Sequence, residues 1–192
     1  ELQKKFTEKF VKEEYLSENI PEPISKRKEN KKIRLGYYSA DFCNHPVSYL
    51  ITNLFETHDK SKFELIAFSL GPKKNDEMQN RISNAFDQFI NVSSKTEKEI
   101  SLLSRKLNID IAIDLMGFTK NNKFKIFINR CAPIQINYLG YAGTTGSNCI
   151  DYIIGDKILI PKENQKNFSE KIIYLPNTYQ PNDSQRKISN KI

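Results

Sequence analysis

The stretch KIRLGYYSADFCNHPVSYL, residues 32–50, changes character twice. Ile33 to Ser39 is a short β-type run, and the polar turn after it closes the strand. Pro46 then stands where a helix starts, because proline at the first helical position lacks only an N–H that would have no partner there. Asn44 or His45 is therefore expected near the N-cap, with a helix over Val47–Thr57. A strand feeding a helix through a tight polar turn is the opening of a β-α unit.

The rest of the chain repeats this alternation. Strands are expected at Phe63–Leu70, Gln88–Val92, Ile109–Asp114, Ile134–Tyr138, Tyr152–Ile154 and Lys171–Leu175. Helices are expected near Glu77–Asn84, over Lys95–Leu107 and at Phe124–Asn129. Such a pattern implies an α/β fold around one parallel sheet. At the N-terminus, Leu2, Phe6 and Phe10, with Val11 and Tyr15 less regular, recur at helical spacing among charges over residues 1–18. The stretch 19–32, with two prolines and a dense charge run, reads as a linker, so the first helix is expected to be an appendage. Beyond Pro176 the periodicity is lost, and the tail reads as a further linker.

Composition narrows the function classes. A chain of 192 residues can bury one sizeable core, and 38% hydrophobic with 11% aromatic residues is not a disordered composition. Mean hydropathy is −0.59, and no run approaches the roughly 18 apolar residues that span a bilayer. The opening ELQKKFTEKFVKEEYLSE lacks the apolar segment of a signal peptide, so the expectation is a cytoplasmic protein without a membrane partner. Cys43, Cys131 and Cys149 form no C-x-x-C pair, and the chain has two histidines. That argues for reduced, packed thiols and against a disulfide framework or a structural zinc site. The formal charge is +7, but the lysines are scattered, so a solvated basic surface is expected rather than a specific nucleic-acid site. A polyanion-binding protein is the alternative that charge alone suggests, and its binding would be salt-sensitive.

In a parallel sheet, ligands bind where loops leave the carboxyl ends of strands. Three loops there hold nearly all the unusual residues: Ala40–Pro46, Asp114–Asn122 and Leu139–Ser147. In the first, a neutral His45 at a helix start could accept or donate one proton, with Asp41 orienting it or acting alongside it; capping alone is the competing explanation. In the second, Asp114 ends an apolar strand and is expected to hold loop backbone without touching substrate. The third, LGYAGTTG, spaces Gly140, Gly143 and Gly146 as G-x-x-G-x-x-G, which suits close approach of a ligand or a strained turn equally. It is neither a Walker A loop nor a dinucleotide fingerprint, and no metal-ligand cluster can be assembled.

Taken in order, KIRLGYYSADFCNHPVSYL, IDIAIDLMGFT, RCAPIQINYLGYAGTTG, DYIIGD and SEKIIYLPNTYQP closely resemble the catalytic region of the O-linked N-acetylglucosamine transferase family, which includes the SPINDLY-like proteins. The resemblance runs over about residues 32–181. It implies the Rossmann-like N-terminal lobe of a GT-B glycosyltransferase, with 1–31 as a helix and charged linker and 182–192 as the start of a linker to a missing C-terminal lobe. Upstream tetratricopeptide repeats that select a protein or peptide acceptor are also implied.

The implied reaction is an inverting displacement, without metal or cofactor, that moves N-acetylglucosamine from UDP-GlcNAc to a Ser or Thr hydroxyl. On this resemblance Asp41 and His45 are the catalytic candidates, and the motif leaves open which of them, if either, takes the acceptor proton. Pro46 and Val47 on the first loop, and Leu139, Gly140 and Tyr141 on the third, carry over as donor-side contacts. Three departures are visible. Nothing in the residues after Pro176 resembles the second lobe, no upstream cleft histidine stands within 1–31, and Ala142 and Phe118 replace a usual proline and a usual His or Tyr. The chain alone is therefore expected to be inactive, with GDP-fucose or UDP-glucose as alternative donors and a non-catalytic scaffold as the alternative role.

Overall fold

The computed structural model describes residues 1–15, Ile24 and residues 31–186. The expected linker at 19–32, apart from Ile24, Lys31 and Lys32, lies outside the described residues, as do residues 187–192 of the tail. In chain order the elements are α1 (Leu2–Tyr15), β1 (Ile33–Ser39), α2 (Pro46–Thr57), β2 (Phe63–Ser69), α3 (Glu77–Ala85) and β3 (Gln88–Asn91). There follow α4 (Glu97–Lys106), β4 (Ile111–Asp114), α5 (Lys125–Ile128), β5 (Ile134–Asn137), β6 (Tyr152–Gly155) and β7 (Lys171–Tyr174).

The strands form one parallel sheet in the order β3-β2-β1-β4-β5-β6-β7. The chain winds outward from β1 to β3, then crosses back to β4 and winds the other way. The order therefore reverses between β1 and β4, and ligands of such sheets bind in the crevice at that point. The alternation in the sequence thus corresponds to the α/β fold around one parallel sheet that it implied, and the sheet is the Rossmann-like one that the resemblance implied.

Both faces of the sheet are covered, so its strands read as nearly continuous apolar runs. Leu35, Tyr37, Leu65, Ala67 and Ile113 point to one face and pack with Ile51 and Phe55 of α2 and Met78 and Ile82 of α3. Tyr38, Ile66, Phe68 and Ala112 point to the other and pack with Ile100 of α4, Ile126 and Phe127 of α5, and Val11 of α1. Burying one such aromatic or aliphatic side chain contributes roughly 1.5–3 kcal/mol, so the long apolar strands β1 and β2 anchor the lobe. Tyr38 and Phe68, adjacent in register, stack with ring centroids 4.4 Å apart.

Local signals explain the helix starts. Asp76 caps α3 through the Gln79 N–H, and Thr96 and Glu99 form a reciprocal capping box on α4. Strand β4 begins at Ile111 rather than Ile109, because the chain leaves α4 through Asn108 in the left-handed region (φ 54°), and the Asn108 and Ile109 N–H groups still bond back to the carbonyls of Arg105 and Ser104. The sequence reading also passed over a 3-10 helix at Lys162–Asn167, which buries no side chain and so has no apolar period to betray it. Helix α1 does not stand away from the lobe. Thr7 and Val11 are buried, the Phe10 ring meets Phe118, Tyr15 meets Phe124, and Lys4 Nζ donates to the carbonyls of Lys166 and Phe168.

Candidate functional site

Parallel register brings Ser39, Ser69, Asp114 and Asn137 to the carboxyl ends of their strands. All four are buried, so polar groups close the apolar core just beneath the loops. The three loops picked out from sequence meet there. Met116 Sδ accepts from Ser39 Oγ and from the Ala40 N–H, joining the first loop to the second. Gly140 lies so close to the Leu115 carbonyl that a Cβ would collide with it, which joins the second loop to the third.

The first loop is pinned at nearly every residue. Gly71 leaves room for the Ala40 carbonyl, and the Asp41 N–H donates to Ser39 Oγ at 2.9 Å. The Asp41 carbonyl accepts from Ser48 Oγ at 2.5 Å, and the Phe42 carbonyl from Gln79 Nε2 at 2.9 Å. The Asn44 N–H donates to Asp76 Oδ2 at 3.0 Å. Asp76 and Gln79 therefore serve both the start of α3 and the turn beside it. Sequence reading missed both as site supports, although Asp76-x-x-Gln79 is a helix-start pattern.

Of the two N-cap candidates it is His45 that caps α2: its Nδ1 accepts the Val47 N–H at 3.3 Å, with Pro46 at the first helical position. The imidazole and the Asp41 carboxylate are each partly exposed, and Nδ1 lies 3.7 Å from Asp41 Oδ2. Burial raises the Asp41 carboxyl above its ordinary value, and His45 partly opposes that rise. Pro46 is exposed, while Val47 is half-buried and packs on the α2/α3 side of the core. The other histidine, His58, stands at the far end of α2 with Nε2 2.9 Å from the Tyr37 hydroxyl.

In the second loop Asp114 is buried and accepts the N–H groups of Met116 (2.9 Å) and Gly117 (3.1 Å), the backbone role the sequence suggested. Burial pushes its carboxyl up to about 6 against the pull of those two donors. Phe118 packs among Phe10, Phe124 and Tyr141.

The third loop starts with Leu139 in the left-handed region (φ 70°), an unfavourable conformation for a branched side chain. Its later glycines serve helix packing. A Cβ on Gly143 would strike Gln3, and one on Gly146 would strike Thr7 and the Glu8 backbone. Tyr141 is likewise engaged by α1, its hydroxyl accepting from Gln3 Nε2 at 2.9 Å. The spacing G-x-x-G-x-x-G is thus half a seat for α1, which the local motif could not reveal.

Two cavities border the site. One of about 700 Å³ lies beside the start of α2 and is lined by Asn44, Pro46, Tyr49, Arg81 and Asp183. Another of about 830 Å³ lies between α1, Arg130 and the Gly146–Cys149 segment, away from His45. Among the described residues no three His, Cys, Asp or Glu side chains are grouped to hold a metal, and no helix is long and apolar enough to cross a membrane. The cysteines are free thiols, and burial pushes Cys131 and Cys149 each up to about 12.

The chain is 35% identical over 165 residues to a protein of Arabidopsis thaliana named as a probable UDP-N-acetylglucosamine–peptide N-acetylglucosaminyltransferase, SEC. That match covers 86% of this chain and 17% of the plant protein. It is 33% identical over 154 residues to the UDP-N-acetylglucosamine–peptide N-acetylglucosaminyltransferase of Caenorhabditis elegans, covering 78% and 13%. A solved mutant of the Thermobaculum terrenum O-GlcNAc transferase superposes with a TM-score of 0.85 at 25% identity, over 93% of this chain and 34% of that one. The chain thus spans less than a fifth of the curated relatives it matches. The model of glycosyl transferase family 41 matches residues 14–190, which takes in every strand and all three loops, and the chain belongs to that family.

Proposed function

We propose that this lobe forms one wall of a sugar-nucleotide cleft in a protein O-glycosyltransferase. The enzyme would carry N-acetylglucosamine from UDP-GlcNAc to Ser or Thr hydroxyls of proteins. The observation that carries the reading is the pinned Asp41–Val47 turn at the switch point of the sheet, within a family 41 sequence. Such rigidity suits a group that must meet developing charge without reorganising.

The roles follow from the cap. Nδ1 of His45 accepts a hydrogen bond, so a neutral ring would carry its proton on Nε2, which has no hydrogen-bond partner among the described residues. His45 would then hold a donor oxygen, sugar or phosphate, and stabilise the diphosphate as it leaves. In this tautomer it is a donor and takes no proton from the acceptor. Asp41 is the neighbouring group with lone pairs to offer the acceptor hydroxyl as that oxygen attacks the anomeric carbon. Pro46, Val47, Leu139, Gly140 and Tyr141 would line the donor side. No resident metal or cofactor enters this scheme. The opposite wall, with most contacts to the nucleotide, would come from a C-terminal lobe outside these 192 residues, and acceptor selection from repeats upstream.

The reading is tested by expressing the full open reading frame and measuring binding of UDP-GlcNAc, GDP-fucose and UDP-glucose, followed by transfer to Ser/Thr peptides. Saturable UDP-GlcNAc binding with transfer supports it. Preference for another nucleotide sugar would replace the donor, and binding of none would leave a scaffold. The 192 residues alone should show no turnover.

A further inference from the structure

The Gly-rich loop leaves β5 with a strained residue and must nevertheless hold one shape. Leu139 at φ 70° is a conformation that persists only where its surroundings over-determine it. Two buried side chains hydrogen-bond the residues that follow it. Asn137, fully buried at the end of β5, donates through Nδ2 to the carbonyls of Tyr141 (3.0 Å) and Gly143 (3.3 Å), so the turn closes around its amide. Two carbonyls require a donor, which fixes the amide orientation, and Oδ1 is buried without a partner among the described residues. Glu170, in the SEK stretch before β7, reaches the loop further along. Its carboxylate accepts from Thr144 Oγ1 at 2.7 Å and from the Thr145 N–H at 2.6 Å, and also from Thr145 Oγ1. Thr144 Oγ1 in turn accepts the N–H groups of Gly146 and Ser169, which ties the loop to the start of β7.

We infer that Asn137 and Glu170 are positioning residues that hold Leu139 and Gly140 in the geometry the sugar-nucleotide donor meets. Asn137 closes the turn at the mouth of the sheet, and Glu170 tethers the returning limb. Gly140, wedged against the Leu115 carbonyl, is left no freedom between them. Neither residue touches the donor itself: Asn137 acts through loop carbonyls, and Glu170 through the Thr145 N–H and the hydroxyls of Thr144 and Thr145. The inference rests on the transferase reading above.

The test uses the full-length protein with Asn137→Leu, Glu170→Gln and Glu170→Ala, each checked for native circular dichroism. Amide hydrogen exchange at residues 141–146 should rise about tenfold or more, as expected for loss of a hydrogen bond to a buried or charged group. KM for UDP-GlcNAc should rise by about the same factor, while KM for an acceptor peptide stays unchanged. Glu170→Gln, which keeps one acceptor oxygen, should fall between wild type and Glu170→Ala. Unchanged exchange in folded variants overturns the inference. So does faster exchange with an unchanged donor KM, since the brace would then serve folding alone. If wild type fails to bind UDP-GlcNAc, the transferase reading fails instead, and the exchange result alone decides whether the brace exists.

Discussion

His45 Nδ1 accepts the backbone N–H of Val47 at 3.3 Å, although the Asp41 carboxylate stands only 3.7 Å away. The first separation is within hydrogen-bond reach and the second is beyond it. The histidine is therefore committed to the helix start through one nitrogen, and Nε2 has no hydrogen-bond partner among the described residues. Replacing it with alanine should cost about 1 kcal/mol of stability through the lost cap. Asparagine at this position offers an acceptor oxygen and should restore that loss to within a few tenths of a kcal/mol. Urea denaturation of His45→Ala and His45→Asn checks this; equal losses would mean that the cap is energetically silent.

Asp114 gives a pH signature. Its folded carboxyl, pushed up to about 6, titrates above the ordinary 3.8. A carboxyl shifted upward favours the fold while protonated. Its contribution is complete below about pH 4 and is lost as pH rises through about 6. Relative to Asp114→Asn, wild type should lose about 3 kcal/mol of stability between pH 4 and pH 7. Parallel stability curves for the two proteins would contradict a buried, desolvated carboxyl.

Gly146 tests the seat of α1. With φ +65° and a Cβ position already filled by Thr7 and the Glu8 backbone, Gly146→Ala is both strained and obstructed. The helix should be displaced, and trypsin should then cut α1 faster at Lys4, Lys5, Lys9 and Lys12 while the sheet stays resistant. An unchanged digestion pattern would mean that α1 is held elsewhere.

The tail is fastened by Arg81. Its guanidinium pairs with both Glu56 oxygens at 2.8 Å and with Asp183 at 2.6 and 3.1 Å. Those contacts hold both carboxyls below their ordinary values. Nearby, the Tyr138 hydroxyl donates to the Tyr179 carbonyl. Arg81→Met should cost about 1–3 kcal/mol, because Asp183 is left buried without its cation. It should also speed amide exchange over residues 183–186; unchanged exchange there would show that the ion cluster does not hold the tail.

The central strands and their helices were legible because apolar runs, caps and prolines act locally. Pro46 and Asp114 each do what their neighbours in sequence indicate. What stayed hidden depends on distant partners. Nothing near Gly143 or Gly146 in sequence tells that α1 lies upon them, and Glu170 lies 26 and 25 residues from the threonines it holds. The tail beyond Pro176 has no period, yet Asp183 is buried, because its order comes from Arg81 on α3. Periodicity reports how an element buries its own face, and these contacts are made by irregular backbone.

The most direct test of the cleft wall is the rate of UDP-GlcNAc transfer by full-length His45→Asn. That substitution keeps the cap and removes the Nε2–H. If the turn serves the donor, the variant should be as stable as wild type but slower by about a hundredfold or more, the scale of one transition-state hydrogen bond. A stable His45→Asn protein that transfers sugar at the wild-type rate would contradict the account and leave the turn as a helix start alone.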